Sequence, residues 1–149
     1  MRLLVDHRED LIGERTRHIN RLRWREVHGV AAVSAAKLIG EVAGVGRFRS
    51  RHAFARHNGT APTPVWSGNT ERHRLSRAGN RQLNAAIHRV ALTQARSHPQ
   101  ARVYLDQRLQ AGATRKEAIR SLKRRLSDVV YRAMLADAAT QERPQAVAA

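Results

Sequence analysis

The 149-residue sequence contains no cysteine, which excludes disulfide frameworks, thiolate nucleophiles and thiolate metal sites. It also has no apolar run approaching the roughly 18 residues of a membrane span, and its first ten residues, MRLLVDHRED, lack the apolar centre of a signal peptide. We therefore expect a soluble intracellular protein that does not bind a membrane.

Lysine and acidic residues are scarce. Only three of the 28 basic residues are lysines, and the formal net charge is +16 with a pI near 11.8. A charge this large indicates a polyanionic partner, and nucleic acid is favoured over an anionic membrane surface. Arginine matches phosphate geometry, although a GC-rich genome would produce the same bias.

The charge imbalance is greatest between Val42 and Leu105, where Glu71 is the one acidic residue against eleven arginines. Such a segment repels itself unless an anion lies against it, while a solvated basic face is the alternative interpretation. The shortage of carboxylates argues against carboxylate-pair catalysis or a carboxylate-bound metal in this segment. No pair of its histidines has the four-residue spacing of a helical zinc site, so they are either phosphate contacts or ordinary surface residues.

Apolar periodicity and capping residues predict an all-α fold. The expected helices cover residues 3–24, about 32–42, a short segment capped by Ser50 and ending at His57, 79–97, 99–110 and 114–137. Residues 59–78 are predicted to be a long basic loop or a loose hairpin. Trp66 in this loop either packs on a sugar or base or fills the core.

Two segments indicate nucleic-acid chemistry. VHGVAAVSAAKLIGEV, residues 27–42, resembles a helix-hairpin-helix element, in which a turn at Gly29 would direct helix amides at phosphate; Ala31 replaces the usual second glycine, and a structural hairpin is the alternative. PVWSGNTERHRLSRAGNRQLN, residues 64–84, places serines among arginines. A serine hydroxyl there could attack a phosphodiester, although most loop serines only form turns.

Taken together, the glycine-turn helix, the run AFARHNGTAP, the serine-glycine pair and LSRAGNRQLN resemble the C-terminal transposase domain of the insertion-sequence DEDD, or bridge-RNA-guided, transposases. The resemblance covers about residues 25–137. It implies a domain that supplies a serine nucleophile for DNA strand exchange, while a preceding RuvC-like domain binds magnesium and an RNA guide pairs with the DNA.

By this resemblance Ser67 is the predicted nucleophile, with Ser76 as the lesser candidate. The charge pattern and the glycine turn add candidate nucleic-acid-binding residues: Gly29, Arg47, Arg49, Arg51, Arg72, Arg74, Arg77 and Arg81. We expect no metal site and no cofactor in this chain; the magnesium that the resemblance implies would belong to the RuvC-like domain.

The resemblance also predicts the domain organisation. Residues 1–26 resemble the end of the RuvC-like domain, 27–137 form the serine-bearing domain, and 138–149 form a disordered tail. The chain is thus expected to be a truncated copy, inactive alone, that acts with DNA, a guide RNA, and full-length transposase or its own copies in the cytoplasm near the nucleoid. The alternatives are a non-catalytic DNA- or RNA-binding module and a basic protein bound to ribosomal RNA.

Overall fold

The computed structural model describes residues 12–13, 27–67, 70–75 and 78–146, with only the backbone described at 67, 70–75 and 141–146. Ile12 and Gly13 are helical, and the remainder of the predicted helix at 3–24 lies outside the described residues. The same holds for nearly all of the predicted domain at 1–26.

Helix α1, the first whose two ends lie within the described residues, spans Ala32–Val42, as predicted. Its apolar side chains Ala35 and Leu38 are fully buried, which explains the small and apolar composition of this segment. The pattern predicts that the glycines at 44 and 46 end this helix. Instead Ala43 adopts the left-handed conformation at its C-terminus, with φ 47°, and its N–H donates to the carbonyl of Ile39.

A 3₁₀ helix at Val45–Arg47 leads into the short helix α2, Arg51–His57. The hydroxyl of Ser50 accepts a hydrogen bond from the N–H of Ala53 at 3.2 Å, which confirms the predicted N-cap. Phe54 of α2 is fully buried and contacts the rings of Phe48 and Tyr131. These aromatic contacts fix α2 against the C-terminal helix.

Strand β1, Pro62–Ser67, and strand β2, Thr70–Leu75, pair as an antiparallel hairpin. The register pairs Pro62 with Leu75 at the base and Ser67 with Thr70 at the tip. Of the two interpretations of this segment, a long loop or a hairpin, the hairpin is therefore confirmed.

Three helices follow: α3, Arg81–Ser97; α4, Pro99–Gln110; and α5, Arg115–Ala146. Proline occupies the first turn of α4, where a missing N–H has no cost. At the start of α5, Glu117 accepts hydrogen bonds from the N–H and hydroxyl of Thr114, which forms the expected capping box. Helix α5 extends nine residues past residue 137, so the segment from 138 to 146 is helical where a disordered tail is predicted.

The core lies where α3 packs against α1 and α5, α2 packs against α5, and α4 covers one side of α3 and α5. Its largest fully buried apolar side chains are Phe54, Leu38, Leu83, Ile87, Val42, Val90 and Val130. The all-α class is confirmed, since the sheet in the described part of the chain is limited to the two-stranded hairpin.

Candidate nucleic-acid interface

The hairpin joins the helices where the C-terminus of α2 meets the N-terminus of α3. On the β1 side, the N–H groups of Thr60 and Ala61 both donate to the carbonyl of Ala55, at 2.9 and 3.1 Å. On the β2 side, the N–H of Asn80 donates to the carbonyl of His57 at 2.7 Å. The segments before and after the hairpin are thus both hydrogen-bonded to α2.

Gly79 makes this junction possible. Its φ is +107°, and a Cβ at this position would lie 2.6 Å from the carbonyl oxygen of His57 and 2.9 Å from the backbone N of Gly59. Both neighbours are backbone atoms, which cannot move as a side chain can. Glycine is therefore required here by conformation and by space, which explains the glycine of the LSRAGNRQLN segment.

Asn80, the next residue, caps α3 and ties it to α1. Its Oδ1 accepts a hydrogen bond from the N–H of Leu83 at 2.9 Å, and its Nδ2 donates to the carboxylate of Glu41. Nearby, Arg47 Nη2 donates to His57 Nε2 at 3.0 Å, which requires neutral His57. Burial and the charge of Arg47 lower the pKa of His57, while Glu41 opposes the shift.

A buried polar network centred on Asn58 lies beneath the junction. Asn58 is fully buried; its Nδ2 donates to the hydroxyl of Ser127 at 2.8 Å, and its Oδ1 accepts from the N–H and hydroxyl of Thr60. Its backbone carbonyl accepts from Asn84 Nδ2 at 2.7 Å, and Asn84 Oδ1 accepts from Lys123 Nζ at 2.6 Å. The network fixes α2, α3 and α5 relative to one another, since such buried groups are costly to leave unpaired.

Above this network, residues of the junction, α3 and α5 line an open groove of about 940 Å³, which we name the α3–α5 groove. Its cationic or titratable lining residues are Arg81, His88, Arg115, Lys116, Arg120 and Lys123. Its remaining lining residues are Asn58, Ala78, Gly79, Asn80, Asn84, Ala85, Leu92 and Ile119. Among the described residues that line it, none carries a carboxylate.

The positive charges of the groove influence one another. Lys123 is only 7% exposed, and its burial together with the charge of Arg120 lowers its pKa. The pKa of His88 is lowered by burial and by the charge of Lys123. Burial is the larger cause of each shift and would disfavour a charge of either sign; the smaller cause, a neighbouring cation, shows that positive charges lie close together here, which favours an anion.

At the tip of the hairpin, Ser67 ends β1. At about 3.3 Å per residue, the six-residue strand places it roughly 17 Å from Pro62, the first residue of β1. Trp66 is 71% exposed, so the alternative that it fills the core is wrong. Ser76 and Arg77 lie outside the described residues, and only the backbone of Arg72 and Arg74 is described, both in β2.

The other predicted binding residues fall in three places. Arg81 lines the groove, whereas Arg47 lies beside His57, with its guanidinium 4.7 Å from the centre of the Phe48 ring. Arg49 and Arg51 are exposed near the start of α2.

Gly29 lies in the turn before α1, with φ +89°, and this turn packs on α3. A Cβ at Gly29 would come within 3.1 Å of the Thr93 side chain, and Gln94 Nε2 donates to the adjacent His28 carbonyl at 2.7 Å. The glycine thus allows close packing between the turn and α3. This packing explains the residue without reference to phosphate.

The sequence pattern did not predict the half of the groove that α5 contributes. Lys116, Arg120 and Lys123 are spaced four and three residues apart, which places cations on one face of a helix. This spacing is the one signal for them in the sequence, and the denser arginine-rich segment before residue 105 masks it. Asn58, inside the AFARHNGTAP run, carries no separate signal because its partners are distant in the chain.

The described residues contain neither a metal cluster nor a membrane span. No three His, Asp or Glu side chains in the described ranges are grouped so that they could hold a metal ion. No helix among those residues is long and apolar enough to cross a bilayer.

The fold and site define a small helical domain with a basic groove and a projecting hairpin. The sequence pattern of the family described as Transposase IS116/IS110/IS902 matches residues 23–106, more than half of the chain, so the protein belongs to this transposase family. The match includes the whole hairpin and α3 and ends before α5. Among curated proteins, no sequence matches the chain.

Proposed function

We propose that the chain binds DNA and supplies the Ser67 hydroxyl as the nucleophile of transposition. Membership of the transposase family supports a role in transposition, and the matched segment contains the entire hairpin. The observation that carries the proposal is the position of Ser67 at the tip of a hairpin whose flanking segments are both hydrogen-bonded to α2.

In the proposed reaction, Ser67 Oγ attacks a backbone phosphorus and loses its proton to a base or to solvent. A bond forms between Oγ and phosphorus, one bridging P–O bond of the DNA strand breaks, and the leaving oxygen takes up a proton. Arg72 and Arg74, paired in register with Val65 and Thr63, would stabilise the charge on phosphorus from β2. The second strand then attacks the serine ester and restores the hydroxyl.

Magnesium and the further partners belong to the same proposal. The described residues form no group that fits a metal ion, so no step assigned to this chain passes through magnesium. We infer that a RuvC-like domain, carried by a full-length transposase that assembles with this chain, provides magnesium, and that a guide RNA selects the DNA. Association of several copies of the chain is part of this proposal.

The test is formation of a covalent protein–DNA adduct in trans. The chain is mixed with labelled DNA, magnesium and a full-length family member whose own nucleophilic serine is replaced by alanine, and adducts are separated under denaturing conditions. We expect an adduct with the mass of this chain that Ser67→Ala abolishes while equilibrium DNA binding remains.

Ser76→Ala is the matched control and should retain the adduct. Loss of the adduct in Ser76→Ala alone would transfer the role to Ser76. If the chain binds DNA but no variant or wild-type chain forms an adduct, the catalytic assignment is wrong and a non-catalytic binding module is the better description.

A further inference from the structure

Residues of the two helices α3 and α5 line most of the α3–α5 groove. Of the predicted binding residues, Arg81 alone belongs to either helix. Helix α3 contributes Arg81 and His88, and α5 contributes Lys116, Arg120 and Lys123. The α5 residues lie beyond the segment matched by the transposase family. The lining of the groove, within the described chain, thus contains cations and no carboxylate.

The size of the groove indicates the size of its ligand. At about 940 Å³ it is at the upper end of the range for small-molecule sites, roughly 300–1,000 Å³, and much larger than a single phosphate. Its apolar walls include Ala85, Leu92 and Ile119. Cations spread along an open groove with apolar walls are suited to several successive sugar-phosphate units.

One end of the groove lies at the junction of α2 and α3. Ala78, Gly79 and Asn80 line one end of it, and β2 ends at Leu75. A strand that lies in the groove therefore passes the junction from which the hairpin projects. The buried network of Asn58 and Asn84 holds the two walls in place, so the site is formed before a ligand arrives.

We propose that the α3–α5 groove binds the phosphate backbone of duplex DNA and forms a second contact surface beside the hairpin. This inference rests on the proposed function for its choice of DNA as the ligand. Phosphate oxygens in the groove accept hydrogen bonds from Lys116 and Arg120 at its rim and offset the charge of the buried Lys123.

The test compares two double variants that remove the same charge. Lys116→Gln with Arg120→Gln alters the groove, and Arg102→Gln with Arg108→Gln alters exposed positions of α4 outside it. Binding of the full chain to a fluorescent duplex is measured by anisotropy across a salt series. Since each phosphate contact contributes about 0.9 to the slope of log K against log salt, we expect the groove pair to lower the slope by about 2. The α4 pair should leave it nearly unchanged.

Equal losses of affinity and of salt slope in the two double variants would mean that only net charge determines binding. That result would overturn the inference. Lys116→Glu provides an independent test at an exposed position and should weaken binding more than Arg102→Glu, with circular dichroism confirming the fold. A groove pair that weakens binding to duplex RNA but not to duplex DNA would overturn the assignment to DNA. If the wild-type chain binds no duplex, the proposed function fails together with this inference. If the wild-type chain binds DNA and the groove double variant binds it equally well, only the assignment of the groove is wrong.

Discussion

The hairpin and the α3–α5 groove both contain basic residues, but different interactions determine their shapes. In the hairpin, β1 and β2 pair with each other over six residues each, and no described helix makes an extensive contact with either strand. In the groove, the walls come from helices joined by hydrogen bonds between residues 39 and 69 positions apart, such as Lys123 with Asn84 and Asn58 with Ser127. The hairpin therefore has local order, and the groove depends on tertiary packing.

This difference predicts different responses to mutation. Substitutions in the hairpin should change binding or reactivity with little effect on the free energy of unfolding, because few contacts of the core are lost. Substitutions at the junction or in the network should destabilise the fold and remove the groove with it. Gly79 lies between the two regions and affects both.

The largest effect is expected for Gly79→Ala. The new Cβ would meet the backbone of His57 and Gly59 at 2.6 and 2.9 Å, and alanine would have to adopt φ +107°. A strained backbone costs about 1–3 kcal/mol, and the backbone clash adds to it, so we expect a loss of about 3 kcal/mol or more in the free energy of unfolding. Urea denaturation followed by circular dichroism measures this loss.

Two other glycines separate the cost of the backbone conformation from the cost of the steric clash. Gly112 has φ +84°, but a Cβ added there would have no other atom within 4 Å, so Gly112→Ala should cost only the conformational part, about 1–2 kcal/mol. Gly40 lies within α1 with open space around it, and Gly40→Ala should stabilise the protein by about 0.5–1 kcal/mol. If Gly79→Ala costs no more than Gly112→Ala, the close approach of the junction is not important for stability.

The sequence predicts the parts of the fold that depend on local chemistry. Ser50 and Thr114 mark helix starts because a hydroxyl before an amphipathic segment satisfies free N–H groups. The end of α1 is predicted correctly although Ala43, rather than a glycine, takes the left-handed position. The predicted end of α5 is too early because residues 138–146 lack a strong apolar pattern, even though Ala138 still packs against the core.

The candidate site is predicted less completely, for a physical reason. The arginine-rich segment and Ser67 are visible because they are contiguous in the sequence. The groove is not visible in the sequence, because it forms only when α5 lies beside α3. No residue pattern near Lys116 specifies which helix α5 packs against. Asn58 and Gly79 occur within the AFARHNGTAP and LSRAGNRQLN segments, but their roles depend on partners in other elements.

An intermediate effect, on binding alone, is expected for Trp66→Ala in the hairpin. Trp66 is 71% exposed, and stacking of a base on an aromatic ring contributes about 1–3 kcal/mol. We expect affinity for a single-stranded oligonucleotide to fall by about that amount while the melting temperature stays the same. Val33→Ala, at a position that is 65% exposed on α1, is the control and should neither weaken binding nor lower the melting temperature. A large drop in melting temperature for Trp66→Ala would show that the hairpin is stabilised by packing against the helices and not by its own strand pairing alone.

The smallest effect concerns pH, and it distinguishes the junction from the groove. Burial and the charge of Arg47 lower the pKa of His57 below its usual value near 6.5, against the opposing influence of Glu41, and burial and Lys123 lower the pKa of His88. Below pH 6.5 the unfolded chain therefore binds more protons than the folded chain, so stability is fully present above that pH and decreases as pH falls toward the folded-state pKa values. His57→Gln and His88→Gln should each reduce this decrease, measured by urea denaturation at pH 5.5 and 7.5.

Addition of duplex DNA should separate the two histidines. Phosphate in the groove would raise the pKa of His88, which lines it, and leave the pKa of His57 unchanged, since His57 faces Arg47 and Glu41 at the junction. Binding should then tighten as pH falls from 7.5 to 5.5, and His88→Gln should lessen this trend whereas His57→Gln should not. The same pH dependence of binding in both variants would mean that His88 does not contact the DNA and that the groove and junction respond alike.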